Sequence, residues 1–314
     1  MKPCAIIMYH YVRDVEKTDY PGIKALPVDD FIKQLDWCVE NYKMPSYAEF
    51  ESTFLSGTGF DEPTGLLTFD DGFIDNYETV FPILIDKGLS GVFFACDSVF
   101  IGKPDLLNVH KVHFILSTIN EEQFEEELKE ELSSRENIEF DIREREGLYI
   151  NDLHGIAAIK RLLNYELPYE VVDEVINNLF EKHIGDAEKF AKNLYLSQEQ
   201  IIEMHEAGMF FGTHTKNHRV LSRLDEDEQR EELCDGANIV RSITGQNSVP
   251  FCYPYGLNHT YDEHALNLLR EYGYKTAFTV GRTYTSFKED PLEIPRFDTN
   301  EFPPRSDSAP ISVS

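Results

Sequence analysis

Short apolar runs rich in β-branched and aromatic residues recur along the chain, and most are followed by a stretch with helical spacing. Such runs predict strands that are buried on both faces, as in a parallel sheet. In Asp29–Tyr42, which follows the first run, the apolar positions share one face of a helix. The predicted strands are Ala5–Tyr9, Gly65–Phe69, Gly91–Cys96, Met209–Thr213, Val249–Tyr253, Thr276–Val280 and Leu292–Pro295.

Helix-boundary signals support this alternation. Ser46 with Glu49 has the spacing of a capping box, and the same pattern recurs at Ser197. Tyr77–Lys87 is predicted as one helix that ends at Gly88. Strands that alternate with helices indicate an α/β protein with parallel strands. About seven or eight such repeats favour a closed or nearly closed barrel, whose active site lies at the carboxyl ends of the strands.

One region lacks any strand pattern. Residues 103–196 are dense in charge near the start and then carry amphipathic helical spacing. We interpret this region as a helical insertion into the barrel. A solvated cap is its simplest role, and a lid that faces the substrate or an oligomer contact are the alternatives.

The composition narrows the class of protein. Asp+Glu is 57 against Lys+Arg 29, a formal net charge of -28, so phosphate backbones are repelled and nucleic acid is excluded as a partner. The 5 cysteines are odd in number and never in CxxC spacing, which favours free thiols in a reducing compartment. The N-terminal apolar run is too short for a signal peptide, and no apolar stretch is long enough to span a membrane. We expect a cytoplasmic protein, and its oligomeric state stays open.

Two candidate chemical groups stand at the ends of predicted strands. Asp70 and Asp71 follow one strand and precede a glycine, and His214 and His218 follow another. Adjacent carboxylates repel each other, and a nearby cation lowers that cost. The two histidines and one aspartate form the three-ligand set of a catalytic zinc site, which leaves the other aspartate to take a proton from bound water. Zinc is the default ion; cobalt, nickel or manganese could replace it.

At this point the sequence resembles the polysaccharide deacetylases, the NodB-homology hydrolases of carbohydrate esterase family 4. The resemblance covers nearly the whole chain outside the insertion. It implies a single catalytic domain over residues 1–314, folded as a distorted (β/α)7 barrel with the insertion at 103–196. The matching segments are Ile7–Val12, Leu67–Tyr77, Gly208–Leu221, Phe251–Gly256 and Ile294–Asp298.

The resemblance also implies roles. Asp70 matches the catalytic base, and Asp71, His214 and His218 match the metal ligands. Tyr255 matches the tyrosine whose backbone N–H helps to bind the oxyanion that forms during attack on an amide. Thr215 would lie beside the ligands, and its role is either functional or only to hydrogen-bond the turn.

Two features of the family pattern are missing. The third motif lacks its arginine, and Arg296, near the end of the last predicted strand, could take that place; an ordinary surface salt bridge is the alternative. The late histidine that serves as general acid is also missing. His10 is the first candidate to replace it, His259 is the second, and Asp70 moving the proton both ways is the third.

These residues predict a metal-dependent hydrolase that removes an N-acetyl or other N-acyl group from an amino sugar. A cytoplasmic location suggests a nucleotide-linked or lipid-linked sugar, or a surface glycan under assembly. A deformylase or another hydrolase of non-peptide C–N bonds would use the same residues. A non-catalytic sugar-binding protein on a deacetylase scaffold is the alternative from a different class.

Overall fold

The computed structural model of the chain describes residues 2–135, 138, 140 and 154–307. The chain forms two compact units: the first comprises Met1–Asp14, Ala25–Pro104 and Lys192–Ser314, and the second Val15–Lys24 and Asp105–Ala191. Part of the predicted insertion, at 136–137, 139 and 141–153, lies outside the described residues, as does the end of the predicted domain at 308–314. A single catalytic domain with an insertion at 103–196 stays a prediction.

Seven parallel strands close into a barrel in sequence order, so the predicted α/β barrel is confirmed. Its closure comes from the pairing of the last strand with the first, in which Ile7 lies opposite Phe297. The strands are β1 (Cys4–Tyr9), β2 (Thr64–Phe69), β3 (Val92–Ala95), β4 (Phe210–Thr213), β5 (Phe251–Cys252), β6 (Ala277–Val280) and β7 (Ile294–Asp298).

Helices lie between the strands along the sequence. In chain order they are α1 (Val28–Asn41), α2 (Tyr47–Ser56), α3 (Phe81–Asp86), α4 (Asp97–Phe100), α5 (Asn108–Thr118), α6 (Glu121–Ser133), α7 (His154–Arg161), α8 (Tyr169–His183), α9 (Ala187–Leu194), α10 (Gln198–Glu206), α11 (Glu226–Leu233), α12 (Gly236–Thr244) and α13 (Glu263–Glu271). Within the described residues, no helix has both the length and the apolar character needed to cross a bilayer.

The described part of the second unit is mainly helical and has its own core. Helices α5, α6 and α8 bury apolar positions against one another. The ring of Phe190 packs edge-on against those of Phe114 and Phe180, with centroids 4.7 and 5.2 Å away. Aromatic pairs of this geometry add to the stability that burial alone provides.

Two of the predicted helix features need correction. The helix predicted at Tyr77–Lys87 is a π-helical segment, Asn76–Val80, followed by the short α3, because Pro82 has no N–H to continue the α-helical ladder. The box at Ser46 is only half formed: its side chain accepts from the Glu49 N–H, while the Glu49 carboxylate binds Lys43. At Ser197 both reciprocal bonds are present.

The last strand is longer than its apolar pattern indicated, and this matters for the site. Leu292–Pro295 was the predicted strand, but β7 runs from Ile294 to Asp298, so Arg296 lies inside it rather than near its end. A charged side chain normally ends a buried run. Here the run continues because the Arg296 charge is neutralised inside the barrel.

Candidate active site

The carboxyl ends of the strands bring the predicted residues to one end of the barrel. His10 follows β1, Asp70 and Asp71 follow β2, and His214 follows β4. Each of these strands is apolar and buried along almost its whole length, so the polar group begins where the core ends. Parallel strands in a closed barrel all end on the same side, which is where such folds place their chemistry.

A buried ion pair stands at the centre of the site. Arg296 donates from Nη1 to Asp70 Oδ1 and from Nη2 to Asp70 Oδ2, and each hydrogen bond is 2.7 Å long. The guanidinium also donates to the Thr68 hydroxyl, the Thr279 carbonyl and the Cys252 thiol. Its five N–H groups therefore hold it rigidly, and its planar fork fixes both carboxylate oxygens of Asp70.

The pair keeps Asp70 ionised. Burial raises the pKa of the Asp70 carboxyl, but the charge and hydrogen bonds of Arg296 outweigh burial and leave that pKa below its usual value. Burial lowers the pKa of Arg296, and Asp70 reverses that effect and raises it. Cys252 of β5 lies at this pair: its Sγ is 3.6 Å from Asp70 Oδ2, and burial raises the pKa of its thiol. All five cysteines of the chain are free thiols.

Asp71, His214 and His218 form a second cluster beside this pair. Asp71 Oδ1 lies 3.7 Å from His214 Nε2 and 3.6 Å from His218 Nε2. His214 Nδ1 is 2.8 Å from the Cys252 carbonyl, which can only accept, so Nδ1 carries the proton and Nε2 carries the lone pair. Burial lowers the pKa of His214, which favours the neutral imidazole that a metal requires.

The residues of this cluster fit a divalent ion. Two atoms that each lie about 2.0–2.1 Å from an ion at the tetrahedral angle are about 3.4 Å apart, close to the distances from Asp71 to the two imidazoles. Two nitrogens and one carboxylate oxygen make the donor set of a catalytic zinc site with an open position. The second set of close donors, Asp70, His214 and Cys252, is a poor alternative because Arg296 already occupies Asp70 and the thiol.

Backbone strain concentrates at this end of the barrel. Among the described residues, five residues other than glycine have a positive φ: Asp71, Thr215, His218, Tyr255 and Arg282. Asp71 and His218 belong to the candidate metal cluster of Asp71, His214 and His218, and Thr215 and Tyr255 lie in loops beside it. This conformation costs free energy for a side chain with a Cβ, and it persists where the surrounding structure enforces it, often at functional sites.

Hydrogen bonds hold the loop between the two histidines; they come from a side chain of the loop itself and from a residue of α11. The Thr215 hydroxyl accepts from the His218 N–H at 2.9 Å, so Thr215 does bond the turn. Glu232, which is buried, accepts from the backbone N–H of Asn217 at 2.8 Å and from its side-chain amide at 2.6 Å. The Glu232 backbone carbonyl also accepts from the Lys216 N–H.

A further buried carboxyl lies behind that loop. Asp97 begins α4, and its N–H donates to the Thr215 carbonyl. Burial, together with the charges of Glu232 and Asp235, raises the pKa of Asp97 to about 7, and Lys216 opposes the rise. Nothing in the sequence pattern singled out Asp97 or Glu232.

His10, the first candidate acid, lies beside Asp70, the candidate base. Its Nε2 is 3.9 Å from Asp70 Oδ2, and its side chain is 43% exposed, so substrate can reach it. Asp75 anchors the segment that follows it, accepting from the Val12 N–H at 3.2 Å and from Arg13 Nε at 2.7 Å. His259 lies in the exposed loop after β5, where its backbone carbonyl accepts from Ser222.

Tyr255 borders the metal cluster from the loop after β5. Its ring lies 5.0 Å from that of His218 at an interplanar angle of 66°. Its φ of 63° and the tight Gly256 turn set the direction of the backbone there. The role of the Tyr255 backbone N–H in binding an oxyanion stays a prediction.

Comparisons with known proteins agree with the motifs. A family model described as polysaccharide deacetylase matches residues 171–277, which include His214, His218 and Tyr255. No curated protein sequence matches the chain significantly. Since the family model covers a third of the chain, similarity over the remaining residues depends on comparison of structures.

Solved structures of deacetylases share the fold. The deacetylase PplD of Streptococcus pyogenes, in complex with acetate, has 19% identity and a TM-score of 0.58, over 94% of this chain and 92% of that chain. IcaB from Ammonifex degensii has 16% identity and a TM-score of 0.56, over 95% and 92%. A de-N-acetylase from Aggregatibacter actinomycetemcomitans has 14% identity and a TM-score of 0.55, over 99% and 95%. The predicted resemblance is thus confirmed: the chain is similar to the polysaccharide deacetylases in sequence over residues 171–277 and in fold over nearly its whole length.

Proposed function

We propose that this protein is a metal-dependent hydrolase that removes an N-acetyl group, or another N-acyl group, from an amino sugar. The observation that carries the proposal is the placement of an Asp–His–His cluster directly beside a buried, ionised carboxylate. The cluster suits a metal ion, and the ionised carboxylate suits proton transfer. Hydrolysis of a stable amide needs both.

In this proposal Asp71, His214 and His218 hold the ion, and zinc is its first candidate. When bound there, a divalent ion would supply Lewis acidity, which polarises a carbonyl and lowers the pKa of water toward neutral. The Nε2 of His214 already carries a lone pair on the side that faces Asp71, so it can act as a ligand without moving a proton.

Asp70 accepts the proton of the attacking water. Arg296 keeps its carboxylate ionised and fixes its direction, so it is present in the acceptor form at neutral pH. A lower pKa makes a carboxylate a weaker base. The fixed position of the Asp70 carboxylate therefore has to contribute more to the reaction rate than its basicity does.

His10 donates a proton to the leaving nitrogen. A C–O bond forms to water and the C–N bond breaks, and the amine leaves only when protonated, since an amide anion is a poor leaving group. The distance from His10 to Asp70 and the exposure of its ring support this role over that of His259. The backbone N–H of Tyr255 shares the negative charge that develops on the carbonyl oxygen.

The substrate is proposed from the family and from its relatives. The family model concerns polysaccharide deacetylases, and the structure of one similar deacetylase is a complex with acetate, which supports acetyl as the acyl group. We propose a role in assembling a surface glycan, with a cytoplasmic location and the residues 103–196 as an insertion in the catalytic domain. A formyl group, or no catalysis at all, would be the competing outcomes of the test.

The direct test is acetate release from N-acetylated sugars by the zinc-loaded protein. Sugar nucleotides, lipid-linked sugars and short N-acetylglucosamine oligomers are compared, and formate release from N-formyl sugars is measured alongside. We expect acetate release by wild type and a loss of about 10²–10⁴-fold in Asp70→Asn. Unchanged turnover in Asp70→Asn would refute the assigned base, and sugar binding without any release would favour the binding-protein alternative.

A further inference from the structure

We infer that Glu232 is a positioning residue for the metal site: its carboxylate holds Asn217, and thereby sets the direction of the ligand His218. This inference rests on the proposed function only for the ion that the site would bind. The loop geometry on which it depends belongs to the chain itself.

The loop between the two histidines is short and its backbone is strained. Thr215 has a φ of 64° and His218 a φ of 57°, so both residues at its ends are left-handed without being glycine. Left to itself, such a loop would relax toward ordinary backbone conformations. A fixed partner must oppose that relaxation.

Glu232 supplies most of that opposition. Of the three consecutive backbone N–H groups of Lys216, Asn217 and His218, the first donates to the Glu232 backbone carbonyl and the second to its carboxylate. The third donates to Thr215. The side-chain amide of Asn217 takes the remaining Glu232 oxygen at 2.6 Å, so both carboxylate oxygens are used on one residue of the loop.

The placement of this carboxylate is costly, which argues against an incidental contact. Glu232 is 4% exposed, and its charge acts on the buried carboxyl of Asp97. Two buried acids near each other destabilise the fold. The hydrogen bonds from Asn217 are the main compensation, and they join Glu232 directly to the residue before a metal ligand.

Partners behind a metal ligand usually tune affinity by orienting it. Changing such a partner typically lowers metal affinity by about 10–100-fold without removing any ligand. In Glu232→Gln the remaining oxygen still accepts from the Asn217 N–H, and the Asn217 amide must turn over to offer its own oxygen to the new NH₂ group. The side-chain shape is kept, but both bonds lose the negative charge that strengthens them, so the loop is held less firmly.

The experiment compares zinc affinity, measured by competition with a chromophoric chelator, in wild type, Glu232→Gln and Glu231→Gln. Glu231 is the adjacent, exposed residue of α11 and undergoes the same charge change. We expect affinity to fall by about 10–100-fold in Glu232→Gln and to change by less than about twofold in Glu231→Gln. Equal affinity of the two variants would overturn the inference.

A metal-free measurement separates this inference from the proposed function. In the apo protein, amide exchange of Asn217, followed by NMR, should be faster in Glu232→Gln than in wild type. Unchanged exchange would overturn the inference even if zinc binds. If wild type binds no zinc at all, the proposed function fails instead, while faster exchange would still support the positioning of the loop.

A second variant covers the case in which Glu232→Gln does not fold. Asn217→Ala changes an exposed residue and removes only the 2.6 Å side-chain bond, so it should fold. We expect a several-fold loss of zinc affinity. Full wild-type affinity in Asn217→Ala would contradict the inference.

Discussion

Arg296 and Asp70 face each other inside the barrel with two parallel hydrogen bonds of 2.7 Å, although 226 positions separate them in the sequence. The guanidinium comes from the middle of β7, and the carboxylate from the residue just after β2. Both side chains are almost completely buried. The pair thus links the last strand to the proposed base; that Arg296 replaces the missing arginine of the third motif stays a prediction.

The first prediction concerns the stability that depends on this pair. Arg296→Ala leaves a buried carboxylate without its cation, and we expect the free energy of unfolding to fall by about 3–5 kcal/mol. Urea denaturation measures this. The double variant Asp70→Asn, Arg296→Met should recover much of the loss, because it removes both buried charges.

Arg305→Ala provides the matched control for that measurement. Arg305 pairs with Asp30 at 3.4 Å, and its side chain is 39% exposed, so its loss should cost less than about 1 kcal/mol. If Arg296→Ala were no more destabilising than Arg305→Ala, the ion pair would not be the central support of the site.

The second prediction separates the candidate acids. His10→Gln should lower kcat for an N-acetyl sugar by about 10²–10⁴-fold, because the amine can no longer be protonated as it leaves. A substrate with a good leaving group, such as an aryl acetate, should lose far less. Zinc content should be unchanged, because His10 is not one of the proposed ligands.

His259→Gln makes the same chemical change at the other candidate. We expect near wild-type kcat, since His259 lies in the exposed loop after β5. The reverse result, with His259→Gln inactive and His10→Gln active, would move the acid to that loop. Two active variants would leave Asp70 as the residue that moves the proton both ways.

The third prediction concerns pH and Asp97. Its pKa is raised from the ordinary 3.8 to about 7, so between these values the folded carboxyl holds a proton that the unfolded chain has lost. The folded state is therefore destabilised progressively as pH rises from about 4 to about 7. Above that range the whole cost is present.

Asp97→Asn should remove this dependence. Its stabilising effect should be larger at pH 8 than at pH 5, as measured by the free energy of unfolding at both pH values. Asp61→Asn, in an exposed loop, should show no such difference. An Asp97→Asn effect independent of pH would mean that this carboxyl titrates normally.

Much of the fold and part of the site could be predicted from the sequence, because both depend on patterns among neighbouring residues. Apolar runs mark the strands, and the strand ends carry Asp70, Asp71 and His214 on the next few residues. A capping pattern such as that at Ser197 also needs only neighbouring positions. The closed order of the barrel then follows from repetition.

The supporting contacts could not be predicted because they join distant segments. Arg13 and Asp75 are 62 positions apart, and Asn217 and Glu232 are 15 apart on different elements. Cys252 looks like a small apolar residue in its own strand, yet its Sγ accepts from Arg296. The run of β7 past a charged residue depends likewise on Asp70, which no local pattern reveals.

The measurement that tests the central claim most directly is the metal content of the purified protein, beside that of His214→Ala. The ligand set predicts about one divalent ion per chain in wild type, with zinc first, and loss of that ion in the variant. A wild-type protein that holds no metal, even after zinc is supplied, would contradict the proposed water-activating site and with it the hydrolase assignment.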